Sequence, residues 1–509
     1  MKMMLLYDSI ILLSSLCLFR CALLLLFLFI YSCLVIRSTA GCTLAAPVRC
    51  LVSPISLPYN SFANKSGYFS HPCPGYARDF SSSNGEGITD SEFNQWFTGF
   101  TDGEGHFSIA ISQSNVIRFV FKIKLHIDDL GVLEFIKNRL NCGTVIVGKD
   151  NSAQFYLTKI SDISTILIPL FEKFPLNGIK YLDYLCFKEG VSLKLNGSVP
   201  KDEQLRLITS LKNSMNTRRV NFEMPDSHTI RITPYWLLGL IEGEGTFCLN
   251  DPKTMGISFS FALTARQAPL IYAIKSYLDT QFVTDPLLKS SPIYLERSSK
   301  LSYISIKNSK KVNIKSAIEL AVRQVNFIVD KLIPMLSNLT FFTKKHLDFL
   351  DWQIIASLIY TGKHTTEEGR ELILKISQRM NNYRLSTFKQ GATKLKDSID
   401  KSLWDKVWNM EDIYIRDSRG LRIIAANRSL VKGQLFYLLA EGPNEDEEKN
   451  IFFQDSKACA EYFGVTPQTI NDRLAKELPI LDPSTRIEFR LSRRPVISRD
   501  ETFKKGKVV

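Results

Sequence analysis

Two nine-residue stretches constrain this chain more than any other feature. Phe97 to Gly105 reads FTGFTDGEG, and Leu237 to Gly245 reads LLGLIEGEG. Each holds two glycines four apart, Gly99 with Gly103 and Gly239 with Gly243. On a helix that spacing puts both glycines on one face. A helical glycine costs about 1 kcal/mol relative to alanine, so the pattern points to two backbones that must approach closely. The two stretches are therefore expected to pack on each other, carrying Glu104 and Glu244 to the same end. That end is the C-terminal one, where the macrodipole disfavours negative charge. Two carboxylates there call for cations. Mg²⁺ is a hard ion that one or two carboxylates plus phosphate oxygens commonly hold.

The duplication extends past these stretches. Each begins after a Trp, Trp96 or Trp236, and runs on into a strand-like segment, GHFSIAIS or GTFCLN. In the next strand Ile117, Phe119, Phe121, Ile123, Leu125 and Ile127 alternate with Arg118, Val120, Lys122, Lys124 and His126. In the second half Ile257, Phe259, Phe261 and Leu263 alternate with Ser258, Ser260, Ala262, Thr264 and Arg266. Period-2 alternation makes sheets with one oily face. The other face is either merely solvated or meets nucleic acid. Amphipathic helices follow at Leu130 to Leu140 and Ala268 to Leu278. Later each half places a Lys three residues before an Asp-aromatic pair: Lys180 with Asp183-Tyr184, and Lys345 with Asp348-Phe349. Each half thus reads helix, two strands, helix, two strands, helix, an α+β arrangement with helices on one sheet face. A net charge of +13 and a pI near 9.1 favour an anionic partner.

The repeated stretch resembles the nonapeptide of LAGLIDADG homing endonucleases, over about residues 92–385. The resemblance implies two tandem αββαββα repeats in one chain. These would form a pseudo-two-fold monomer with a β-sheet saddle for double-stranded DNA. It implies that the later acid of each nonapeptide, Glu104 and Glu244, binds the metal, rather than Asp102 and Glu242. It also puts Lys180 and Lys345 near the scissile phosphates as catalytic residues. On the saddle, Arg118, Lys122, Lys124, His126 and Arg266 are the expected DNA contacts. Mg²⁺ is the implied cofactor. The family is typically encoded by organellar introns, so a mitochondrial setting is implied, with chloroplast second. Two rivals stand beside the nuclease: an RNA maturase that helps splice its host intron, and a non-catalytic DNA-binding regulator. An intein is disfavoured, because the chain ends in Lys507-Val508-Val509 and begins with no splice-junction Cys or Ser.

The flanks carry different signals. Residues 1–90 form a hydrophobic leader and a linker. Ser9 to Ile36 is strongly apolar apart from Arg20 and leaves three readings: a membrane anchor, a targeting segment or a dispensable extension. Cys17, Cys21, Cys33, Cys42, Cys50 and Cys73 cluster there without a CxxC pair, and the four later cysteines read as small buried hydrophobes of a reducing compartment. Repeats are expected at 91–225 and 226–388. Residues 389–509 lie outside the resemblance. Within them, Phe453 to Ile480 reads as a helix-turn-helix, with Thr466 as N-cap and Pro467 at the first helical position. It looks like the small DNA-binding units appended to many homing nucleases. Gln468, Thr469, Asn471 and Arg473 would then face DNA; two packed helices without a DNA role remain the alternative.

Overall fold

The computed structural model describes residues 87–282, 304–309, 316–388, 400–416, 422–425, 436–443, 450–453 and 455–495. The expectations for residues 1–90 therefore lie almost wholly outside the described residues. Among the described residues, no helix is long and apolar enough to cross a membrane.

Helix α1, Asp90–Glu104, starts at a capping box: Glu92 N donates to Thr89 Oγ1 at 3.2 Å, and Thr89 N donates to the Glu92 carboxylate at 2.7 Å. It buries Phe93, Trp96, Phe97 and Phe100 and passes directly into β1, Gly105–Ile111. Strand β2, Ile117–His126, alternates as expected, with Phe119, Phe121 and Ile123 buried and Arg118 and Lys124 exposed. A single 3₁₀ turn, Ile127–Asp129, leads into α2, Leu130–Leu140. Strands β3, Thr144–Val147, and β4, Ser152–Leu157, complete an antiparallel sheet of order β1-β2-β4-β3. Helix α3, Lys180–Leu195, and helix α4, Lys201–Asn213, close the first repeat.

The second repeat follows the same order. Helix α5 is Pro234–Glu244, β5 is Thr246–Asp251, β6 is Gly256–Thr264 and α6 is Ala268–Phe282. Then come β7, Ile304–Ser309, β8, Ala317–Val322, α7, Lys345–Tyr360, and α8, Glu367–Ser377. Its sheet runs β5-β6-β8-β7.

Both repeats contain a helical stretch that the alternation does not announce. It runs over Ile160–Lys173 in the first and Val325–Ser337 in the second, each with a π turn, at Ile163–Leu167 and Ile328–Leu332. Pro169 and Pro334 stand two residues past the ends of those turns. A proline ring clashes with the carbonyl four residues back, and a wider turn relieves the clash without ending the helix.

The Asp of each Lys/Asp-aromatic segment anchors the chain as it returns. Asp183 accepts from Asn216 N and Arg219 Nε, both at 3.0 Å. Asp348 accepts from Asn381 N at 3.0 Å and Arg384 Nε at 2.7 Å. Each returning segment then reaches the other repeat. Ser386 N and Oγ donate to Asp128, and Phe222 lies under the Arg266 guanidinium at 3.9 Å.

Past the repeats, α9, Lys401–Trp408, and the short pair β9, Tyr414–Arg416, and β10, Arg422–Ile424, precede a small separate core. There β11, Phe436–Glu441, β12, Ile451–Phe453, β13, Ile480–Leu481, and β14, Glu488–Pro495, form one sheet of order β12-β11-β14-β13. Helices α10, Ser456–Phe463, and α11, Pro467–Lys476, pack on it through Cys459, Ala460, Phe463 and Ile470. Thr466 caps α11 and Gly464 takes the left-handed turn before it, as the sequence leads one to expect. Tyr462, next to the buried Phe463, is half exposed. Of the later cysteines only Cys459 is buried; Cys142, Cys186 and Cys248 are half-buried thiols.

Candidate active site

Helices α1 and α5 meet backbone to backbone. A Cβ on Gly99 would stand 1.9 Å from the Trp236 carbonyl oxygen, and one on Gly239 would stand 2.1 Å from that of Trp96. No side chain fits at either place. One turn on, the Cα atoms of Gly103 and Gly243 line the same seam, each beside the other repeat's glutamate Cγ. The seam thus delivers Glu104 and Glu244 side by side at the ends of their helices.

Each helix ends in two acids two residues apart, and they are treated in opposite ways. Asp102 and Glu242 are buried. Asp102 accepts from Asn177 N at 2.8 Å, Gly178 N at 2.9 Å and, across the seam, Trp236 Nε1 at 3.0 Å. Glu242 accepts from Phe342 N at 2.8 Å, Thr343 N at 2.6 Å, Thr343 Oγ1 at 2.8 Å and, across the seam, Trp96 Nε1 at 2.6 Å. These acids tie each nonapeptide to the segment before α3 or α7 and to the opposite tryptophan. Burial still pushes Asp102 up to about 6 and Glu242 up to about 7.

Glu104 and Glu244 have no such partners. Glu104 is half-buried and Glu244 faces solvent. Among the described residues neither carboxylate takes part in a hydrogen bond or ion pair. Partial burial, and then the charge of Glu244, hold the Glu104 carboxyl above its ordinary range; lost hydration does the same for Glu244.

The flanking cations are Lys180 and Lys345, at the starts of α3 and α7. Lys180 Nζ donates to the carbonyl of Thr101 at 3.2 Å and to that of Gly103. Lys345 Nζ donates to the Gly245 carbonyl at 2.5 Å. They cap the C-terminal ends of α1 and α5, where positive charge is favoured. Burial pulls both ammonium groups below the usual lysine range, against the attraction of the neighbouring carboxylates. A further acid, Asp129, adds its charge to Glu104 while accepting from Lys344 N at 2.9 Å. Its counterpart Gln267 accepts from Ile179 N at 3.1 Å. Neither was read from the sequence. Both end a 3₁₀ turn that follows the second strand of its repeat, and that shared position is the signal that marks them.

The expected DNA contacts fall into two groups. Arg118, Lys122 and Lys124 lie on the outer face of the first sheet, with Lys124 paired to Asp150 at 2.7 Å. His126 and Arg266 are engaged by the crossing segments: His126 Nε2 lies 2.8 Å from Thr387 Oγ1, and Arg266 covers Phe222.

The family model described as LAGLIDADG endonuclease matches residues 97–191 and 237–356. Those spans contain both nonapeptides, both sheets and both lysines. Over these two spans the chain carries the LAGLIDADG endonuclease repeat. A mitochondrial protein of Saccharomyces cerevisiae is 27% identical over 63% of this chain and 65% of its own length. A probable intron-encoded endonuclease of Schizosaccharomyces pombe is 29% identical over 50% of this chain and 63% of its own. The chain therefore spans just under two thirds of these two relatives. A solved LAGLIDADG homing endonuclease in complex with its DNA target is 26% identical, with 57% of this chain and 99% of that one aligned at a TM-score of 0.47.

Outside the LAGLIDADG repeats, the C-terminal residues expected at DNA are placed as follows. Gln468 is exposed and donates to Asp472 at 2.9 Å. Thr469 Oγ1 lies 2.9 Å from Thr466 Oγ1, and Arg473 donates to the Pro479 carbonyl. Asn471 Oδ1 accepts from Ser456 Oγ at 2.9 Å.

Proposed function

We propose that this protein is a site-specific double-strand DNA homing endonuclease that hydrolyses one phosphodiester bond in each strand with Mg²⁺. We further propose that a mobile mitochondrial intron encodes it, as the names of its relatives suggest. The observation that carries this reading is the pair Glu104 and Glu244. They are brought together at the repeat seam, at the helix ends least suited to anions, and given no hydrogen bond among the described residues. The inner acids have every donor they need, so the lack at the outer pair is selective.

The donor set fits a hard divalent ion. Among the described residues no group of three or more His, Cys, Asp or Glu could hold a metal, so the protein offers carboxylate oxygen from the two glutamates. An ion held this way keeps positions for phosphate oxygens and water. When bound, it would supply Lewis acidity towards the scissile phosphate and the attacking water. The residues contribute the rest. Gly99 and Gly239 fix the spacing of the carboxylates. Asp102 and Glu242 fix the helix ends through the tryptophans. Lys180 and Lys345 add positive charge where phosphate charge would gather.

The test is the Glu104→Gln, Glu244→Gln double variant, which keeps size and removes anionic oxygen. It should bind the target duplex in Ca²⁺ as the wild type does and fail to cut in Mg²⁺. Undiminished cleavage by the double variant would overturn the assignment. Restored splicing of the host intron by a wild type that cuts no duplex would transfer the case to a maturase.

A further inference from the structure

The two sheets offer unlike surfaces at equivalent rows. On the outer face of the first, one row runs His106, Lys122, Tyr156 across β1, β2 and β4, and the next holds Lys124 beside Gln154. Arg118 stands exposed further along β2. Tyr156 donates its hydroxyl to Gln154 Oε1 at 2.5 Å, which orients the amide so that its NH₂ points away from the ring. The Lys124–Asp150 pair is at least half exposed on both sides. Such pairs contribute little and are readily exchanged for another partner.

The second sheet has the same topology, and among the described residues its equivalent rows carry other side chains. Its corresponding row runs Thr246, Ser260, Ala321, and the next holds Ala262 beside Glu319. Ala321 is buried, and Ser258 is buried too, donating to Asn250 at 2.8 Å. Thr264 is exposed, and Glu319 is occupied by Arg323 at 2.8 Å. Among the described residues the basic side chains of this face stand at its margin: Lys307, across from Glu319 on β7, and Arg323, just past the end of β8.

Base edges are read by groups that reach them. Arg and Lys pair with guanine O6 and N7, and Gln pairs with adenine N6 and N7, whereas Ser and Thr accept either partner. Short hydroxyls on a strand also stand several side-chain bonds further back. We infer that the first repeat sets the sequence of the DNA target and the second mainly holds its duplex. The specificity-determining residues are Lys122, Lys124, Gln154 and Tyr156. This rests on the endonuclease reading and adds to it that the two half-sites are unequally stringent.

The experiment selects duplexes from a randomised pool with the full chain, in Ca²⁺ so that bound DNA survives. The expected consensus is lopsided. In the strict half a substituted base pair weakens binding by about tenfold or more, and in the other half by less than about fivefold. Lys124→Ala with Gln154→Ala should flatten preferences within the strict half alone. Thr246→Ala with Ser260→Ala serves as the matched pair and should leave the strict half intact. Equal stringency in both halves, or flattening of the weaker half by the first pair, overturns the inference while leaving the endonuclease reading standing. Enrichment of no sequence at all removes the endonuclease reading, and the inference falls with it.

Discussion

Two pairs of acids, two residues apart on the same helices, have opposite fates. Asp102 and Glu242 sit inside the seam and accept three and four hydrogen bonds, each including one from the opposite repeat's indole. Glu104 and Glu244 sit at its mouth and accept none among the described residues. An acid that the fold needs is saturated with donors, because an unpaired buried charge is costly. An acid left open, beside a like charge and at the negative helix end, destabilises the folded chain on its own. The contrast separates what holds the seam from what the seam is held for.

The largest expected effect breaks that contrast at the outer pair. Glu104→Gln or Glu244→Gln should reduce double-strand cleavage by more than about a hundredfold, since even the outer partners of metal ligands are worth ten to a hundred. The same variants should unfold no more easily than the wild type, because each removes a repelled carboxyl whose pKa the fold raises. Parallel cleavage assays and thermal melts check both halves. A clear drop in melting temperature would mean that the outer acids are structural after all.

Next comes the seam itself. Gly99→Ala gains about 1 kcal/mol of helix propensity but drives a methyl into the Trp236 carbonyl. Overpacking costs of about 1–3 kcal/mol or more exceed that gain. The variant should melt early and also lose cleavage, since the separation of the outer acids depends on the contact. Gly131→Ala is the control: nothing lies near its Cβ, so only the propensity gain remains.

Much of this was legible in the sequence because it is local and repeated. The glycine spacing, the alternation in β2 and β6 and the Lys/Asp-aromatic segments each state their role within a dozen residues. What was hidden is relational. Trp96 and Trp236 mark the start of each nonapeptide, but that their indoles satisfy the other repeat's inner acid appears only once the helices cross. The π-turned helices run on through Ile-Pro, at Ile168-Pro169 and Ile333-Pro334, and a proline inside an apolar run reads as a break, not as a wider turn. His126 and Arg266 read as saddle residues because alternation reports a face and not what covers it. The covering segments, Ser386-Thr387 and Phe222, lie far off in sequence.

A smaller effect is expected at the inner pair. Asp102→Asn turns an NH₂ towards at least one of three donors, so a buried N–H loses its partner at a cost of about 1–3 kcal/mol. Glu242→Gln should cost about as much: its carbonyl can keep the Phe342 and Thr343 donors and leaves the Trp96 indole opposed. Cleavage per folded molecule should fall less in either variant than with Glu104→Gln. Chemical denaturation with active-site titration separates the two quantities.

The smallest effect distinguishes the inner acids from each other. Burial raises Glu242 from 4.5 to about 7 and Asp102 from 3.8 to about 6. A raised acid keeps its proton in the folded chain over a range where the unfolded chain has lost it. Its stabilising contribution is complete below the unfolded value and is lost as pH rises through the folded one. Between pH 6 and 7 Asp102 has nearly finished titrating while Glu242 has not. Over that unit the stability of the wild type relative to Glu242→Gln should fall by about 1 kcal/mol, and relative to Asp102→Asn by only a few tenths. Above pH 8 both gaps should be flat. Urea melts at half-unit steps from pH 5 to 8 measure this. If the Glu242 gap held constant across the window, that carboxylate would already be ionised in the folded chain. Its four donors would then outweigh its burial, and the two inner acids would be equivalent in charge as well as in place.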